Sequence, residues 1–518
     1  MTHLKKHHLL IFLLFLGISC KNSDKTDFEK KEDSEDEERA IVSTILKNKS
    51  SFYHVNFEDY PEMDKALPIG VFDSGTGGLT VLDALINFDG YNNENQEKGS
   101  DEVPDFNSEK FIYLADQANM PYGNYSSEEK TDLLIEHILK DTQFLLSNKY
   151  YQHVADTVFQ QDKQPVKSIV IACNTATAYG SEFINEFINK TGIELKVIGV
   201  IDAGARGTLS AFEKNENGSI GVMATVGTIA SKGYETTLLK VKNELGYTGE
   251  IQIFNQGGHG IAEAVDEEPD FINKNLKEPR KDYRGPSLND EKFKINQTLM
   301  DIYNFDFDHN KMLCDAKNTD DCQILQINDS ENYVRYHVVS LLEKIRKTKN
   351  PQPLKAIVLG CTHYPYLTEE IRNVLEELYH YQNDGKYIYR DMMVEDIAIV
   401  DPAVNVADEL YVYMKEKKLF NPSGNMMNSE FFISIPNIQN KNVQLDENGR
   451  FSYNYKYGRN EGEIQEYVKV VPFSRNNISD ETLNRFRTSI PKTYEMVEEF
   501  TRSNPKTDYL EESLRIKK

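Results

Sequence analysis

The sequence predicts an α/β protein with mainly parallel sheets in two related halves, its polar motifs gathered where the halves face each other. Three observations carry this. Short apolar runs recur along the chain, most of them followed by a polar turn and a helical pattern, the alternation that parallel sheets require. The first such run ends in a Gly-rich turn, Asp73-Ser74-Gly75-Thr76-Gly77-Gly78. Two others, Ser168 to Thr175 and Ala356 to His363, look like copies of each other. Each closes a buried strand with a small residue, a cysteine and a hydrogen-bonding pair.

At the N-terminus, Lys5, Lys6, His7 and His8 precede an unbroken apolar run from Leu9 to Leu16, followed by Gly17-Ile18-Ser19-Cys20. The run is shorter than the ~20 residues of a bilayer span, and its basic flank marks a secretory signal. Small residues leading into Cys20, with an acidic tract behind, resemble the lipobox of bacterial lipoproteins. That resemblance implies a signal over 1–19, a lipid on Cys20 and an envelope location on the periplasmic or outer-membrane side; the other reading is an ordinary cleaved signal with an incidental cysteine. Lys21 to Arg39 is dense in Asp, Glu, Lys and Ser and cannot bury a core, so 20–66 reads as an acidic tether plus a short helix around Ile41 to Phe52.

Beyond the tether the apolar runs are Leu67 to Phe72, Phe111 to Leu114, Ser168 to Ala172, Val197 to Ile201, Ser219 to Met223 and Ala356 to Leu359. They place a first domain over 67–197, completed by about 375–500, and a second over 198–374, with a tail at 501–518. Two polar stretches, Asn87 to Asn107 and Glu267 to about Asn332, lack apolar periodicity and read as surface excursions. The second carries Cys314 and Cys322, either a small disulfide loop or a pair of free thiols. The 518 residues include 59 basic and 83 acidic side chains, a net charge of −24, which argues against nucleic acid and anionic surfaces as partners.

A cysteine at a strand end, facing hydrogen-bond donors and a helix N-terminus, is in a setting that lowers a thiol pKa. A matched pair, Cys173 and Cys361, suits racemisation: a thiolate on one face of an α-carbon removes its proton while a thiol on the other face supplies one. The anion formed needs preorganised donors, for which Ser74, Asn174, Thr175 and Thr362 are suited. Asp73 and His363 lie beside these elements as groups to orient or deprotonate the thiols, with Asp202 as a third acid. No oxidation is involved in this chemistry, so no redox cofactor is required.

Ile69 to Val81, Asp116 with Pro121-Tyr122-Gly123, Ala172-Cys173-Asn174-Thr175-Ala176, Ile220-Gly221-Val222 with the Ala224-Thr225 and Gly227-Thr228 pairs, and Leu359 to Pro365 together resemble the glutamate racemases of the aspartate/glutamate racemase family. The resemblance covers about Leu67 to Asp401 outside the insertions. It implies two domains related by a pseudo-twofold axis, an active site at their interface, and neither pyridoxal phosphate nor metal. It also implies that Asp73, Ser74, Tyr122, Gly123, Asn174, Thr175, Thr225, Thr228, Thr362 and His363 meet the amino acid or the catalytic thiols, with Cys173 deprotonating D-glutamate and Cys361 L-glutamate. His363, where aspartate racemases usually carry Glu, favours glutamate. A small-molecule amino acid is the expected partner, a membrane is met through the lipid on Cys20 alone, and a homodimer is left open.

The chain departs from the family's pattern at Asp202-Ala203, where Glu-Pro is usual. The shorter acid predicts weaker activation through His363 and an L-to-D direction more responsive to raised pH. Competing readings are an aspartate or other amino-acid racemase, an inactive secreted amino-acid-binding protein on the same fold, and a nucleotide-binding protein using the Gly-rich turn. The last is disfavoured because Gly75, Gly77 and Gly78 lack the G-x-G-x-x-G spacing and no Walker lysine follows.

Overall fold

The computed structural model describes residues 38–265 and 267–517, so the signal segment, Cys20 and nearly all of the tether lie outside the described residues. In chain order the first part holds α1 (Ala40–Lys47), β1 (Ile69–Asp73), α2 (Leu79–Asn87), β2 (Phe111–Ala115), α3 (Gly123–Ser127), α4 (Thr131–Leu146), β3 (Ser168–Ile171), α5 (Asn174–Thr191), β4 (Lys196–Gly199) and α6 (Val200–Leu209). The second holds β5 (Gly218–Ala224), α7 (Val226–Ala230), α8 (Gly233–Glu244), β6 (Ile251–Gly257), α9 (Ile261–Val265), α10 (Met300–Tyr303), β7 (Met312–Cys314), β8 (Leu325–Ile327), α11 (Ser330–Lys347), β9 (Leu354–Gly360), α12 (Thr368–His380), the small hairpin β10 (Gln382–Asn383) and β11 (Lys386–Tyr387), and β12 (Met393–Val400). The chain then returns through α13 (Pro402–Lys417), β13 (Glu430–Pro436), α14 (Tyr453–Gly458), β14 (Val468–Pro472), α15 (Asp480–Ser489) and α16 (Pro491–Ser503).

Two sheets result, ordered β14-β13-β2-β1-β3-β4 and β12-β9-β5-β6. Every pairing in them is parallel except β13 with β14. When the strands are counted within each half, both sheets run second, first, third, fourth: β2-β1-β3-β4 in one and β6-β5-β9-β12 in the other. This repeated order is the α/β, two-lobed, pseudo-twofold architecture that the copied motifs predict. It also places Cys173 and Cys361 at equivalent points, each just past the third strand of its lobe. The central strands β1, β2 and β5 are buried along their whole length, as parallel strands covered on both faces must be.

The structure corrects three boundaries. The run Val197 to Ile201 leaves the sheet at Gly199, and Val200 already opens α6, so Asp202 sits in the first turn of a helix rather than past a strand. The strand β12 pairs with β9, which carries the second sheet beyond residue 374 to Val400. The stretch 267–332 is not a bare surface excursion. Phe271, Ile295, Tyr303 and Leu313 are buried in it, the hairpin β7–β8 forms within it, and α10 packs against α11. Its apolar residues are too irregularly spaced to show a period, yet they share a core with α11 and α12. Cys314 and Cys322 form a disulfide. By contrast, 87–107 is indeed loop, pinned by Tyr91 stacking on Tyr411 at 3.9 Å.

Candidate functional site

Asp73 ends β1, and its carboxylate turns back into the Gly-rich turn. Gly75 and Gly78 donate their backbone N–H groups to Asp73 Oδ2 at 3.3 and 2.8 Å. Tyr113 donates its hydroxyl to the Gly75 carbonyl at 2.7 Å. At Gly78 a Cβ would stand 2.6 Å from that of Asp73 and 2.9 Å from that of Ala172, so the turn is closed onto β3 at a point only glycine fits. These amides are therefore already spent on Asp73, which removes the phosphate-cradle reading of the turn.

Cys173 is the N-cap of α5. Its sulfur accepts from the Ala176 N–H at 3.4 Å and its thiol donates to Ser74 Oγ at 3.6 Å. A helix N-terminus favours a thiolate. Burial opposes it more strongly, and the neighbouring Asp73 charge adds to the opposition, so the Cys173 pKa is pushed up to about 12. The Asp73 carboxyl is itself raised by burial, against the donors of Gly78, Cys173, Ser74 and Gly75 that hold it down. The Asp73 charge thus helps burial to hold the proton on Cys173, and the resting Cys173 is a thiol.

Cys361 follows β9 and meets a different partner, the His363 Nδ1, 3.7 Å from its sulfur. Thr362 Oγ1 lies 3.4 Å from the same ring nitrogen. Here the chain enters a 3₁₀ turn, Tyr364–Leu367, before α12, so the second cysteine is not a helix cap as the first is. Both thiols are buried but not sealed, at 6% and 7% exposure. The burden of a carboxylate neighbour falls on Cys173.

Between the lobes opens a cleft enclosing about 640 Å³, its mouth included. The first lobe lines it with Ala172 and Asn174, the residues flanking Cys173, and the second with Leu359, Cys361 and Thr362. Asn174 ties the lobes together: it accepts from the Tyr234 hydroxyl at 3.1 Å and its amide donates to the Gly360 carbonyl at 3.4 Å. Thr175, the next residue of α5, is half-buried. Thr225 caps α7 beyond β5, accepting from the Thr228 N–H at 3.2 Å, and the two hydroxyls lie 3.0 Å apart.

Tyr122 points away from the cleft into the first lobe, buried, with its hydroxyl 2.6 Å from both Asp116 and Asp141. What the Pro121-Tyr122-Gly123 turn can offer an amino acid is backbone, with Gly123 exposed at the start of α3. Asp202 is met by the Ser181 hydroxyl at 3.3 Å, with the Arg206 guanidinium lowering a pKa that burial raises. Its contacts therefore lie between α5 and α6 rather than at the Cys361 thiol. Among the cleft residues that escape the sequence reading are Tyr234 and Asp401. Tyr234 lies in the first turn of α8, and Asp401 caps α13 through the Ala403 N–H at 2.9 Å behind a strand too mixed to recognise. The Asp401-Pro402 pair is the signal that could have found the latter.

The fold and site define a two-lobed α/β protein with a free cysteine just past the third strand of each lobe, Cys361 lining the cleft between them and Cys173 lying between the cleft residues Ala172 and Asn174. Among characterised proteins the chain is similar to the glutamate racemase of Lactobacillus johnsonii, 28% identical over 357 residues, which cover 69% of this chain and 84% of that one. It is likewise 28% identical over 367 residues to the glutamate racemase of Thermoanaerobacter pseudethanolicus, covering 71% and 88%. A shorter stretch of 187 residues is 34% identical to the glutamate racemase of Oceanobacillus iheyensis, covering 36% and 51%. Among solved structures, that of glutamate racemase isoform RacE1 from Bacillus anthracis aligns with 71% of this chain and 89% of that one, at 22% identity and a TM-score of 0.39. No family model matches the chain.

Proposed function

We propose that this chain is a cofactor-independent glutamate racemase using Cys173 and Cys361 as opposed proton-transfer groups. The observation that carries the reading is the repeated strand order, which sets one free cysteine past the third strand of each lobe. Asp73 beside Cys173 and His363 beside Cys361 supply each thiol with a base. Similarity to proteins named glutamate racemase supports an amino-acid racemase, and His363 favours glutamate over aspartate. The Cys314–Cys322 disulfide supports an oxidising compartment, in keeping with a lipid-anchored envelope protein held through Cys20. There the activity would supply or scavenge D-glutamate for peptidoglycan.

The test incubates the purified protein, without added cofactor, with L- or D-glutamate in deuterated water and follows the α-hydrogen and the optical rotation. Exchange and inversion from both enantiomers are expected, faster than with aspartate. Replacing Cys173 or Cys361 by Ser should abolish inversion, because a hydroxyl is far too weak an acid to serve as the thiolate does. Dependence on pyridoxal phosphate, or full inversion by both single variants, would sink the two-thiol mechanism. Glutamate binding without exchange would make the chain an amino-acid-binding protein.

A further inference from the structure

The Tyr122 hydroxyl stands 2.6 Å from Asp116 Oδ2 and 2.6 Å from Asp141 Oδ2, and all three side chains are buried. A phenol carries one proton, so it can donate to one of these oxygens and not to both. With both carboxyls ionised, the second contact would set a buried anion against a lone pair at hydrogen-bond distance, a cost without compensation. A second proton must therefore sit in this chain of three oxygens.

The partners of the two acids say where it sits. Asp116 accepts from Asn119 Nδ2 at 2.9 and 3.1 Å and from the Ser434 hydroxyl at 2.6 Å, the environment of an anion. Asp141 is bonded to Tyr122. The charged groups around the pair divide the same way. On α4, the Lys140 ammonium beside Asp141 is taken by Glu136 at 2.6 Å, and His137 is held neutral by burial. From α14 and the residue after it, Lys456 and Arg459 reach the Asp116 side, Arg459 donating to Asn119 Oδ1 at 2.8 Å. Asp73 at the end of β1 adds a further negative charge facing Asp141. Burial first, and the Asp116 charge second, hold the Asp141 carboxyl well above the usual carboxylate range.

We propose that Asp141 is a neutral acid that donates to the Tyr122 hydroxyl, which donates in turn to Asp116, and that this chain fixes the Pro121-Tyr122-Gly123 turn against the substrate. The part about substrate rests on the racemase reading. The turn is coupled to the site through Met120, whose sulfur would stand 2.6 Å from a Cβ on Gly75, next to Ser74. Asp141 is thus a positioning residue, and its ionisation at high pH frees the turn and raises KM for glutamate more than it lowers kcat.

Two measurements on the full chain test this. Infrared difference spectra with carbon-13-labelled aspartate should show a protonated carboxyl at neutral pH in the wild type, show it titrating at lower pH in Asp116→Asn, where the second charge that raises Asp141 is gone, and lose it in Asp141→Asn. The Asp141→Asn amide keeps a donor toward Tyr122, so its KM should stay near the wild-type value and lose the alkaline rise. Asp141→Ala, which leaves the hydroxyl unmet, should raise KM about fivefold or more. A wild type without the protonated band, or with a band that survives in Asp141→Asn, overturns the neutral acid. An Asp141→Asn KM as high as that of Asp141→Ala, or a wild-type KM flat with pH, overturns the positioning role. The band is read without turnover, so its presence in a chain that does not exchange glutamate would defeat the racemase reading and leave the neutral acid standing.

Discussion

Cys173 is pulled in two directions, and the magnitudes decide which wins. The α5 N-terminus and the Ala176 N–H favour the thiolate, while burial and the Asp73 charge oppose it and carry the pKa from 9.0 to about 12. A raised pKa means that the folded state holds the proton more tightly than the unfolded chain does. Its contribution to stability is therefore fully present below about pH 9 and is lost as pH rises toward about 12. Replacing Asp73 by Asn keeps an oxygen for the Gly75 and Gly78 N–H groups and removes the charge, so the Cys173 thiolate should appear at lower pH. Thiolate absorbance in a Cys361→Ser background, corrected with Cys173→Ser, reads this directly. A midpoint that stays or rises would show that Asp73 does not load the thiol. The strand-end positions of both cysteines, of Asp73 and of His363 were legible in the sequence. The asymmetry between the thiols was not, because it depends on which neighbours fold back onto each one.

Among the elements, the strands that could be read from sequence are the central ones. The strands β1, β2, β3, β5 and β9 are continuous apolar runs because helices cover both faces of their sheets. The strands β6 and β12 are the two edges of the second sheet, and their polar residues, Gln252 and Asn255 in one and Glu395 and Asp396 in the other, interrupt the pattern. The register shift between Met393 and Ala398 breaks β12 further. The 267–332 segment hid its core for another reason: its buried residues come in short, irregularly spaced groups such as Phe271-Ile272 and Met312-Leu313, and the β7–β8 hairpin is closed by a bond that spacing cannot assign. That disulfide spans 8 residues, a loop worth about 2.5 kcal/mol on chain-entropy grounds. Chemical denaturation with and without reductant should show a loss of that order, and Cys322→Ser should abolish the reductant effect. If reduction leaves the midpoint unchanged, the α11 contacts alone hold the segment.

At the scale of the whole molecule, two-thiol catalysis requires that the lobes keep a fixed register, since each lobe brings one thiol. α13 contributes to this by packing on α2 of the first lobe and on β9 of the second. At the cleft itself the register rests on Asn174, which accepts from Tyr234 of the second lobe and donates to the carbonyl of Gly360, the residue before Cys361. The Tyr234 ring lies so close to Gly360 that a Cβ there would stand 2.6 Å from it. Tyr234→Phe keeps the ring and deletes the hydroxyl, leaving the Asn174 oxygen unmet at a cost of about 1 kcal/mol. L- and D-glutamate have equal free energy, so kcat/KM must be equal in the two directions for any variant, while kcat is free to differ. A change at one thiol should split the two kcat values. A change in lobe register should lower both together, so Tyr234→Phe is expected to reduce kcat about fivefold in each direction with little change in melting temperature. A fall confined to one direction would place the hydroxyl in the service of one thiol, and unchanged kcat in both would show that the register is held elsewhere.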